Sequence, residues 1–284
     1  MVPNVLVPRI DESLLDPVGR DLHKLVDSRG YTVDIVSSPG TGMPHRHSGL
    51  EMVFVHGGLA VWWVGDTFQI LFPGDVLVFE AGEYHASRPV NGTYLRTTIH
   101  VIPDAFDAAA AYRITLNGKV AQRVRLPRDA APRVFRSICA LRECGESAAG
   151  RARAEVEIAR IVSEVGEAAS RPGKSEMHPV LQDVLQYMIE RTDSEETIEE
   201  LAAKFYVSKG HLHHIFRTRL GCSPVQMWQV IKMERTCRRL LGGGGSVAEL
   251  AAGAGFATRR GFQRAFKKVI GVSVETYKRR LQHI

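Results

Sequence analysis

Three histidines and one glutamate near the amino terminus have the chemistry and spacing of a binding site. His45 and His47 are separated by a single residue, Glu51 follows shortly after them, and His85 lies further along the chain. Imidazole nitrogens and a carboxylate oxygen suit zinc, iron, manganese or nickel. The same groups can instead hydrogen-bond an organic ligand. We expect the second role, with no cofactor required and with a divalent metal at His45, His47, Glu51 and His85 as the alternative.

The surrounding sequence predicts the strands that position these side chains. Between residues 31 and 101 the chain has short runs rich in β-branched and aromatic residues, separated by turns such as Pro73-Gly74-Asp75. Many short strands with regular turns indicate an antiparallel β-barrel or jelly roll. Because side chains alternate along a strand, His45 and His47 are predicted to lie on one face and to point into the barrel.

Four further side chains in this region can line a pocket for a small molecule. Trp62 and Tyr84 offer stacking surfaces, and Arg88 and Arg96 offer fixed charge to a sugar, an aromatic compound or a carboxylate. Ordinary packing inside the barrel is an equally good interpretation of each. The effector-binding set predicted from the sequence comprises His45, His47, Glu51, Trp62, His85 and Arg96.

The positive charge of the chain is concentrated in its carboxyl-terminal part. The 284 residues carry a formal net charge of +6. Residues 1–177 hold 20 Lys and Arg against 21 Asp and Glu, whereas residues 201–284 hold 16 against 3. A region this basic is a candidate for binding a polyanion, although a solvated basic face without a partner has the same composition.

The basic region also contains an internal repeat. Glu-Leu-Ala-Ala at residues 200–203 recurs at residues 249–252, and further matches follow at a similar offset. Each copy opens with a capping box, at residues 197–200 and 246–249, in which a hydroxyl and a carboxylate satisfy free backbone donors. The repeat predicts two units, each made of two helices joined by a tight turn.

The second helix of each unit, starting near Ser208 and Thr258, is predicted to have one buried and one outward face. The apolar stripes are Leu212, Ile215, Phe216 and Leu220 in the first unit and Phe262, Ala265, Phe266, Val269 and Ile270 in the second. The opposite faces carry groups that can read base edges or hold phosphates. The predicted DNA-binding residues are Lys209, Gly210, His213, His214, Arg217, Arg259, Arg260, Gln263, Arg264 and Lys267.

A long helix between the units is predicted to set their separation. Ser223 and Pro224 have the pattern of an N-cap with proline at the first helical position, and the helix reaches about Leu241. At about 1.5 Å per residue, roughly 18 residues span about 27 Å. The repeat of B-DNA is roughly 34 Å, so the two outward helices can enter successive major-groove segments on one face of the duplex.

These features carry a resemblance to a known family. Residues 254–262, residues 266–273 and Tyr277 are similar to the signature of the AraC/XylS family of transcription regulators, and residues 178–284 resemble its DNA-binding domain. The resemblance implies a sequence-specific binder of double-stranded DNA that acts with RNA polymerase. Gly210 stands where the family often has a larger side chain, and the glycine run at 242–245 departs from the family pattern by making the turn into the second unit flexible.

The amino-terminal region resembles a second family. Residues 45–51 and 73–85 are similar to the two half-motifs of a cupin, the small barrel common ahead of this DNA-binding domain, and residues 94–100 continue the likeness. Regulator barrels of this kind usually bind a small effector. The resemblance therefore implies a sensor rather than an enzyme.

Between the two regions, residues 127–169 predict a bridge of two amphipathic helices. Their apolar stripes are Val134, Phe135, Ile138 and Leu141, then Val156, Ile158, Ala159, Ile161, Val162 and Val165. The family resemblance implies that this pair can mediate dimerisation, and covering of the barrel is the alternative. The predicted fold is α+β with two domains: a cupin-like effector-sensing antiparallel β-barrel (1–126), this bridge, a linker (170–177) and an all-α DNA-binding domain with two helix-turn-helix motifs (178–284).

We therefore expect a homodimeric transcription regulator that senses a small molecule and is not an enzyme. The alternatives are a metal-dependent cupin enzyme with an accessory DNA-binding module, and a constitutive DNA-binding protein whose barrel serves only to dimerise. Among enzyme motifs, the sequence has no phosphate loop, nucleophile elbow or HExxH. With no run of about 18 apolar residues and no paired CxxC spacing, it predicts a cytoplasmic protein without membrane contact or disulfides.

Overall fold

The computed structural model describes residues 29–38, 43–80, 82–92, 94–107, 109, 121–170 and 178–282. Its strands are β1 (Tyr31–Ser38), β2 (Leu50–Gly57), β3 (Ala60–Val64), β4 (Thr67–Leu71), β5 (Asp75–Glu80), β6 (His85–Pro89), β7 (Tyr94–Val101) and β8 (Ala121–Arg125). Two helices follow, α1 (Ala130–Arg142) and α2 (Ala148–Ser170). The remaining helices are α3 (Pro179–Glu190), α4 (Ile198–Lys204), α5 (Lys209–Leu220), α6 (Pro224–Leu241), α7 (Val247–Gly253), α8 (Arg259–Ile270) and α9 (Val274–Leu281).

The predicted two-domain α+β architecture is confirmed, with a sheet-rich amino-terminal domain and a helical carboxyl-terminal domain. The predicted linker at 170–177 lies outside the described residues, apart from Ser170, which ends α2. Within the described ranges, no helix is long and apolar enough to cross a membrane.

The strands form two sheets whose inner faces share one core. The larger sheet has the order β1-β7-β2-β5-β8, and the smaller has the order β4-β3-β6. Val53 of β2 faces inward and clusters with Trp62 of β3 and Phe79 of β5, whereas its neighbours Met52 and Phe54 belong to a cluster on the opposite face. Strict alternation thus separates an interior from an outer face in each sheet.

Helices α1 and α2 cover the outer face of the larger sheet. Ile158, Ile161 and Val165 have no exposed surface and share a cluster with Met52 and Ile99 of the sheet. Most of each apolar stripe therefore packs on the cupin-like domain, which was the alternative to a dimer interface. The inclusion of Val156 in the second stripe is wrong, since Val156 is 48% exposed. A dimer formed through the bridge would have to use its exposed side.

The smaller sheet packs directly on the helical domain. Trp63 of β3 and Phe68 of β4 lie in the same hydrophobic cluster as Leu181 of α3 and Trp228 of α6. The two domains therefore share a buried apolar core, and the smaller sheet joins them through its outer face.

The helical domain follows the predicted local signals closely. Reciprocal capping boxes open α4, α6 and α7, formed by Thr197 with Glu200, Ser223 with Gln226, and Ser246 with Glu249. Ser208 and Thr258 cap α5 and α8 at the predicted positions. Helix α6 has the expected 18 residues and starts with proline. These caps satisfy backbone donors that would otherwise be free, so they fix where each helix begins.

The turn inside each two-helix unit contains one residue in the left-handed backbone conformation. Tyr206 (φ 56°) in the first unit and Gly255 (φ 65°) in the second hold this conformation at matching positions. A Cβ on Gly255 would lie 2.3 Å from the carbonyl oxygen of Ser194 and 2.8 Å from Lys232 Nζ. Glycine is therefore required at 255 both by the backbone angle and by the neighbouring atoms.

Replacing Gly255 with alanine is expected to destabilise the protein by roughly 2 to 4 kcal/mol, since steric overlap adds to the left-handed backbone penalty. Gly271→Ala is the matched control, because Gly271 has φ 87° but no atom within 4 Å of its added Cβ. The control should lose only about 1 kcal/mol. Urea unfolding followed by far-ultraviolet circular dichroism measures both, and equal losses would contradict the overlap argument.

Buried His56 makes the free energy of unfolding depend on pH. Its Nε2 lies 2.6 Å from the Thr97 hydroxyl and its ring packs on Phe135 of α1, with ring centres 5.6 Å apart. Burial lowers the pKa of His56 to about 4. In the unfolded chain a histidine has a pKa of about 6.5, so between these values the unfolded state binds more protons than the folded state.

The free energy of unfolding is therefore expected to fall as the pH drops below about 6.5, with His56 contributing roughly 2 kcal/mol of loss between pH 7 and pH 5. His56→Gln does not titrate and should lack this part of the dependence. Urea unfolding of both proteins at the two pH values provides the comparison. An identical pH dependence would show that His56 is not its source.

Candidate histidine site and nucleic-acid interface

Four histidines and one glutamate come together inside the amino-terminal domain. This histidine cluster consists of His45, His47, Glu51, His85 and His100. His45 and His85 exchange two backbone hydrogen bonds, of 3.1 and 2.9 Å, in an isolated bridge. Glu51 lies on β2 directly opposite His100 on β7, and His47 lies three residues before the first residue of β2. The structure thus brings together all four residues of the predicted metal set and adds a fifth.

The local conformation of His45 and His47 differs from the prediction. The sequence predicts both on one face of a strand, but this segment pairs with β6 only through the bridge at His45. Pro44 has no N–H to donate, and Gly49 adopts φ 98°, so a regular ladder cannot run through the segment. Both imidazoles nevertheless enter the cluster, with ring centres 6.0 Å apart.

Five potential ligand atoms converge in the cluster. Glu51 Oε2 lies 2.7 Å from His47 Nε2 and 3.4 Å from Nε2 of both His85 and His100. The Nε2 atoms of His45 and His85 are 3.1 Å apart, as are those of His47 and His100. Ligands about 2.1 Å from one metal ion lie roughly 3.0 to 3.4 Å from their neighbours in octahedral or tetrahedral geometry. Two groups of three residues have their ligand atoms within 4.8 Å of one another: His45, His47 and His85 in one, and His47, Glu51 and His100 in the other.

The outer ring nitrogens determine which atoms face the centre. In three of the histidines Nδ1 faces a backbone carbonyl oxygen, at 3.0 Å for His85 (Glu83), 3.5 Å for His45 (Met43) and 3.3 Å for His47 (Ser48). A carbonyl oxygen only accepts, so in neutral His45 and His85 Nδ1 carries the hydrogen and Nε2 presents a lone pair. Nε2 of His47 instead donates to the Glu51 carboxylate at 2.7 Å. The lone pairs of His45 and His85 then face each other and repel unless a proton or cation lies between them. This donor set fits a divalent metal ion, with the carbonyls as outer hydrogen-bond partners.

The members of the cluster differ in the direction of their pKa shifts. Burial alone would raise the pKa of Glu51, but the His100 and His85 rings and hydrogen bonds from imidazoles hold it well below its ordinary value. Burial lowers the pKa of His85 to about 4 and also lowers that of His45. At His47 burial is outweighed by the Glu51 carboxylate, which raises the pKa of the ring. The cluster thus favours an ionised Glu51, disfavours the charged forms of His45 and His85, and favours the charged form of His47.

His100 is the member of the cluster that the sequence did not single out as a site residue. It occurs only within the stretch that continues the cupin likeness. Alternation along β7 provides a signal, because Tyr94 and His100 are an even number of residues apart and Tyr94 lies in the interior core. The strand that carries Tyr94 inward therefore carries His100 inward as well.

Two residues of the predicted effector set do not join the cluster. Trp62 is 1% exposed and packs in the interior core, with its ring centre 6.2 Å from that of Phe79. Arg96 lies four residues before His100 on β7, where its guanidinium is 5.1 Å from the Tyr94 ring centre and its Nε donates to Thr98. Trp62 thus serves packing, and Arg96 is placed towards the other end of the interior.

The other two candidate pocket residues, Tyr84 and Arg88, have different surroundings. The Arg46 guanidinium lies 4.9 Å from the Tyr84 ring centre. Arg88 forms a buried ion pair with Glu234 of α6, which also accepts a 3.0 Å hydrogen bond from Trp63 Nε1. The expectation that Arg88 lines the pocket is wrong, because His85 takes the inner face of β6 and Arg88, three residues later, takes the outer face.

The predicted DNA-binding residues lie on the accessible sides of α5 and α8. Eight of the ten are exposed, and His213 and Gln263 are half-buried. Lys209 is paired with Glu199, and Gln263 Nε2 donates to Glu275 at 3.3 Å. Such surface contacts are weak, so a phosphate or a base edge can replace them. The opposite sides hold Leu212 and Phe262 fully buried, as the apolar stripes predict.

Comparisons with known proteins match both domains. Residues 201–280 match the helix-turn-helix domain family, and residues 34–93 match the cupin domain family. The MmsAB operon regulatory protein of Pseudomonas aeruginosa is 31% identical over 96 residues, which cover 34% of this chain and 31% of that protein. The match thus spans about a third of the length of that relative.

Among solved structures, the carboxyl-terminal domain of AraT, a response regulator from Geobacillus stearothermophilus, is 30% identical, with 37% of this chain and 88% of that chain covered and a TM-score of 0.36. ToxT from Vibrio cholerae is 9% identical, with 90% of this chain and 99% of that chain covered and a TM-score of 0.37. The two family matches fall on the domains that the sequence predicts and confirm their assignment.

Breaking the buried ion pair between Arg88 and Glu234 is expected to lower the free energy of unfolding. Arg88→Met leaves the Glu234 carboxylate buried without its cation, and we expect a loss of about 3 kcal/mol. Adding Glu234→Gln removes that charge while keeping an acceptor for Trp63, so the double variant should be more stable than Arg88→Met alone. Thermal unfolding of the three proteins checks this order. A double variant with additive losses would contradict the pairing.

Proposed function

Because the chain joins a cupin domain to a helix-turn-helix domain of the AraC type, we propose that it is a transcription regulator that reads DNA with α5 and α8 and responds to a small effector held by the histidine cluster. The observation that carries the proposal is the repeat itself. Two capped units present exposed basic helices at either end of the 18-residue α6.

The spacing of the two units supports binding along one face of a duplex. Helix α6 is about 27 Å long at about 1.5 Å per residue, which is close to the roughly 34 Å repeat of B-DNA. Residues 201–284 hold 16 basic against 3 acidic side chains. Phosphate contacts from this surface supply affinity, and the outward side chains of α5 and α8 supply base readout.

The two reader helices have different chemistry. Helix α8 offers Arg260 and Arg264, whose guanidinium groups can bind guanine in a bidentate way, and Gln263, which can do the same for adenine. Helix α5 offers His214 and Arg217, and its Gly210 leaves open space where a side chain would stand. We infer that α8 contributes more of the hydrogen-bonded base readout than α5.

The effector is proposed to bind at the histidine cluster rather than in a wide cavity. Trp62 and Phe79 fill the interior beside it. The sequence favours an organic effector, whereas the converging Nε2 lone pairs favour a cation. A metal-dependent cupin enzyme is the alternative function supported by this donor set, and it would need a coordination position open to substrate. We propose a regulator without enzymatic activity.

Further partners follow from regulation of transcription. We propose that the protein works in the cytoplasm, contacts RNA polymerase and forms a homodimer when bound to paired operator sites. The buried faces of α1 and α2 do not support dimerisation, so a dimer would use the outer groove between these helices, lined by Arg133, Arg136, Glu157, Arg160, Glu164 and Glu167.

Selection of bound sequences from a random DNA pool tests the proposal and identifies the operator. Replacing Arg264 with alanine should then cost about 1 to 3 kcal/mol in affinity and relax the preference at one base position. Lys267→Ala should instead weaken binding to every sequence and lower the slope of log K against log salt by about 1.

The control is Arg151→Ala, which removes an exposed arginine of α2 in the other domain. It should leave both affinity and sequence preference unchanged. Fluorescence anisotropy with the selected duplex at several salt concentrations measures all variants. Unchanged binding by Arg264→Ala would show that α8 is not placed in the groove as proposed.

A further inference from the structure

We infer that Tyr206, in the turn that precedes α5, is a DNA contact of the first helix-turn-helix unit and that it binds the sugar-phosphate backbone of the duplex. The inference rests on the proposed function, and it adds a contact that lies outside the outward faces of α5 and α8. Three observations carry it: the strained backbone of Tyr206, the exposure of its side chain, and its place close to Gly210.

The backbone of Tyr206 is held in a conformation that suits glycine. Its N–H donates to the carbonyl oxygen of Ala203 at 3.0 Å, and the N–H of the next residue donates to that of Ala202, also at 3.0 Å. The second unit makes the same two bonds around Gly255. This pair of bonds closes a helix end through one left-handed residue, which is usually glycine. Tyr206 is the only non-glycine residue with a positive φ in the part of the chain that the structure describes.

The side chain of Tyr206 does not offset this unfavourable conformation by packing. It is 97% exposed, more than any other large hydrophobic side chain that the structure describes. Its neighbours Phe205 and Val207 instead pack against the core that contains Leu201 and Leu212. A non-glycine residue in left-handed backbone destabilises a fold, and such strained residues concentrate at functional sites. The tyrosine is therefore expected to act on a partner outside the folded chain.

The position of Tyr206 favours DNA as that partner. Ser208, two residues later, caps α5, and the amino-terminal turn of a recognition helix is the part that contacts base edges in the major groove. Consecutive residues lie at most about 3.6 Å apart along an extended chain, so the Cα of Tyr206 is within about 11 Å of that of Lys209. Tyrosine is one of the side chains that hydrogen-bond phosphate and sugar oxygens beside the groove.

The two units carry glycine and a large side chain in opposite order. The first unit has Tyr206 in its turn and Gly210 as the second residue of α5. The second unit has Gly255 in its turn and Arg260 as the second residue of α8. Apart from its chain neighbours, a Cβ on Gly210 would meet no side-chain atom closer than the Ser208 hydroxyl, at 4.0 Å. Tyr206 thus provides a large side chain beside a helix start that lacks one at Gly210.

The test compares stability and DNA affinity in the full-length protein, with the duplex selected from a random pool. Tyr206→Gly relieves the backbone and removes the side chain, so the midpoint of thermal unfolding should stay the same or rise by up to about 4 °C. The affinity for the duplex should nevertheless fall at least about 5-fold, because the bond to a phosphate is lost. A purely structural role predicts that stability and affinity fall together, and that result would overturn the inference.

A second variant separates the side chain from the flexibility of the turn. Asparagine tolerates left-handed backbone and, unlike glycine, does not free the chain to adopt many other conformations. Tyr206→Asn should therefore keep the turn and still lose at least about 3-fold in affinity, since it lacks the reach of the phenol. Wild-type affinity in Tyr206→Asn, beside a loss in Tyr206→Gly, would overturn the contact.

Chemical changes in the DNA locate the contact. Single phosphates of the selected duplex are replaced in turn by uncharged methylphosphonates, and fluorescence anisotropy measures the binding of wild type and of Tyr206→Phe, which lacks only the hydroxyl. At one position the replacement should weaken wild type at least about 3-fold and leave the affinity of Tyr206→Phe unchanged. Equal losses in the two proteins at every position would overturn a hydrogen bond from Tyr206 to the backbone.

Arg264→Ala distinguishes a failure of this inference from a failure of the proposed function. If Arg264→Ala loses affinity while Tyr206→Gly binds as tightly as wild type, the protein reads DNA but Tyr206 does not contact it, and the inference alone is overturned. If wild type selects no sequence from the pool, the proposed function fails and the inference fails with it.

Discussion

Helix α6 constrains both domains, because its length sets the spacing within the helical domain and its buried Glu234 needs partners from the cupin domain. Its 18 residues set the separation of α5 and α8. Its Glu234 is 1% exposed, and a buried carboxylate without a partner costs several kcal/mol. Arg88 and Trp63 of the cupin domain supply the cation and the hydrogen-bond donor that it needs. The helix that separates α5 from α8 is therefore also the helix on which the cupin domain packs.

Strand β6 connects this constraint to the histidine cluster. His85 and Ser87 face the interior, whereas Ala86 and Arg88 face the helical domain. At about 3.3 Å per residue, His85 and Arg88 lie only about 10 Å apart along the strand. Because side chains alternate, this short strand carries His85 of the histidine cluster on one side and the interdomain ion pair of Arg88 on the other. No loop separates the two residues.

The helical domain was largely predictable because its signals are local. A capping box such as Thr197 with Glu200 joins residues three apart, and the spacing of Leu212 and Phe216 assigns the buried face of one helix without knowledge of its neighbours. The repeat then supplied the second unit and the basic faces. The cupin half-motifs likewise identified His45, His47, Glu51 and His85, because they preserve the residue types and order of the site.

The sequence by itself therefore determined the two domain types, the helix starts, the exposed basic faces of α5 and α8, and four of the five residues of the cluster. Only the tertiary structure decided which faces meet. It placed His100 opposite Glu51, turned Arg88 towards Glu234, and buried Ile161 against the sheet. Each of these outcomes depends on strand register or on helix packing between residues far apart in the chain. An amphipathic pattern shows that a face will be buried, but the surface that buries it is fixed only when the elements assemble.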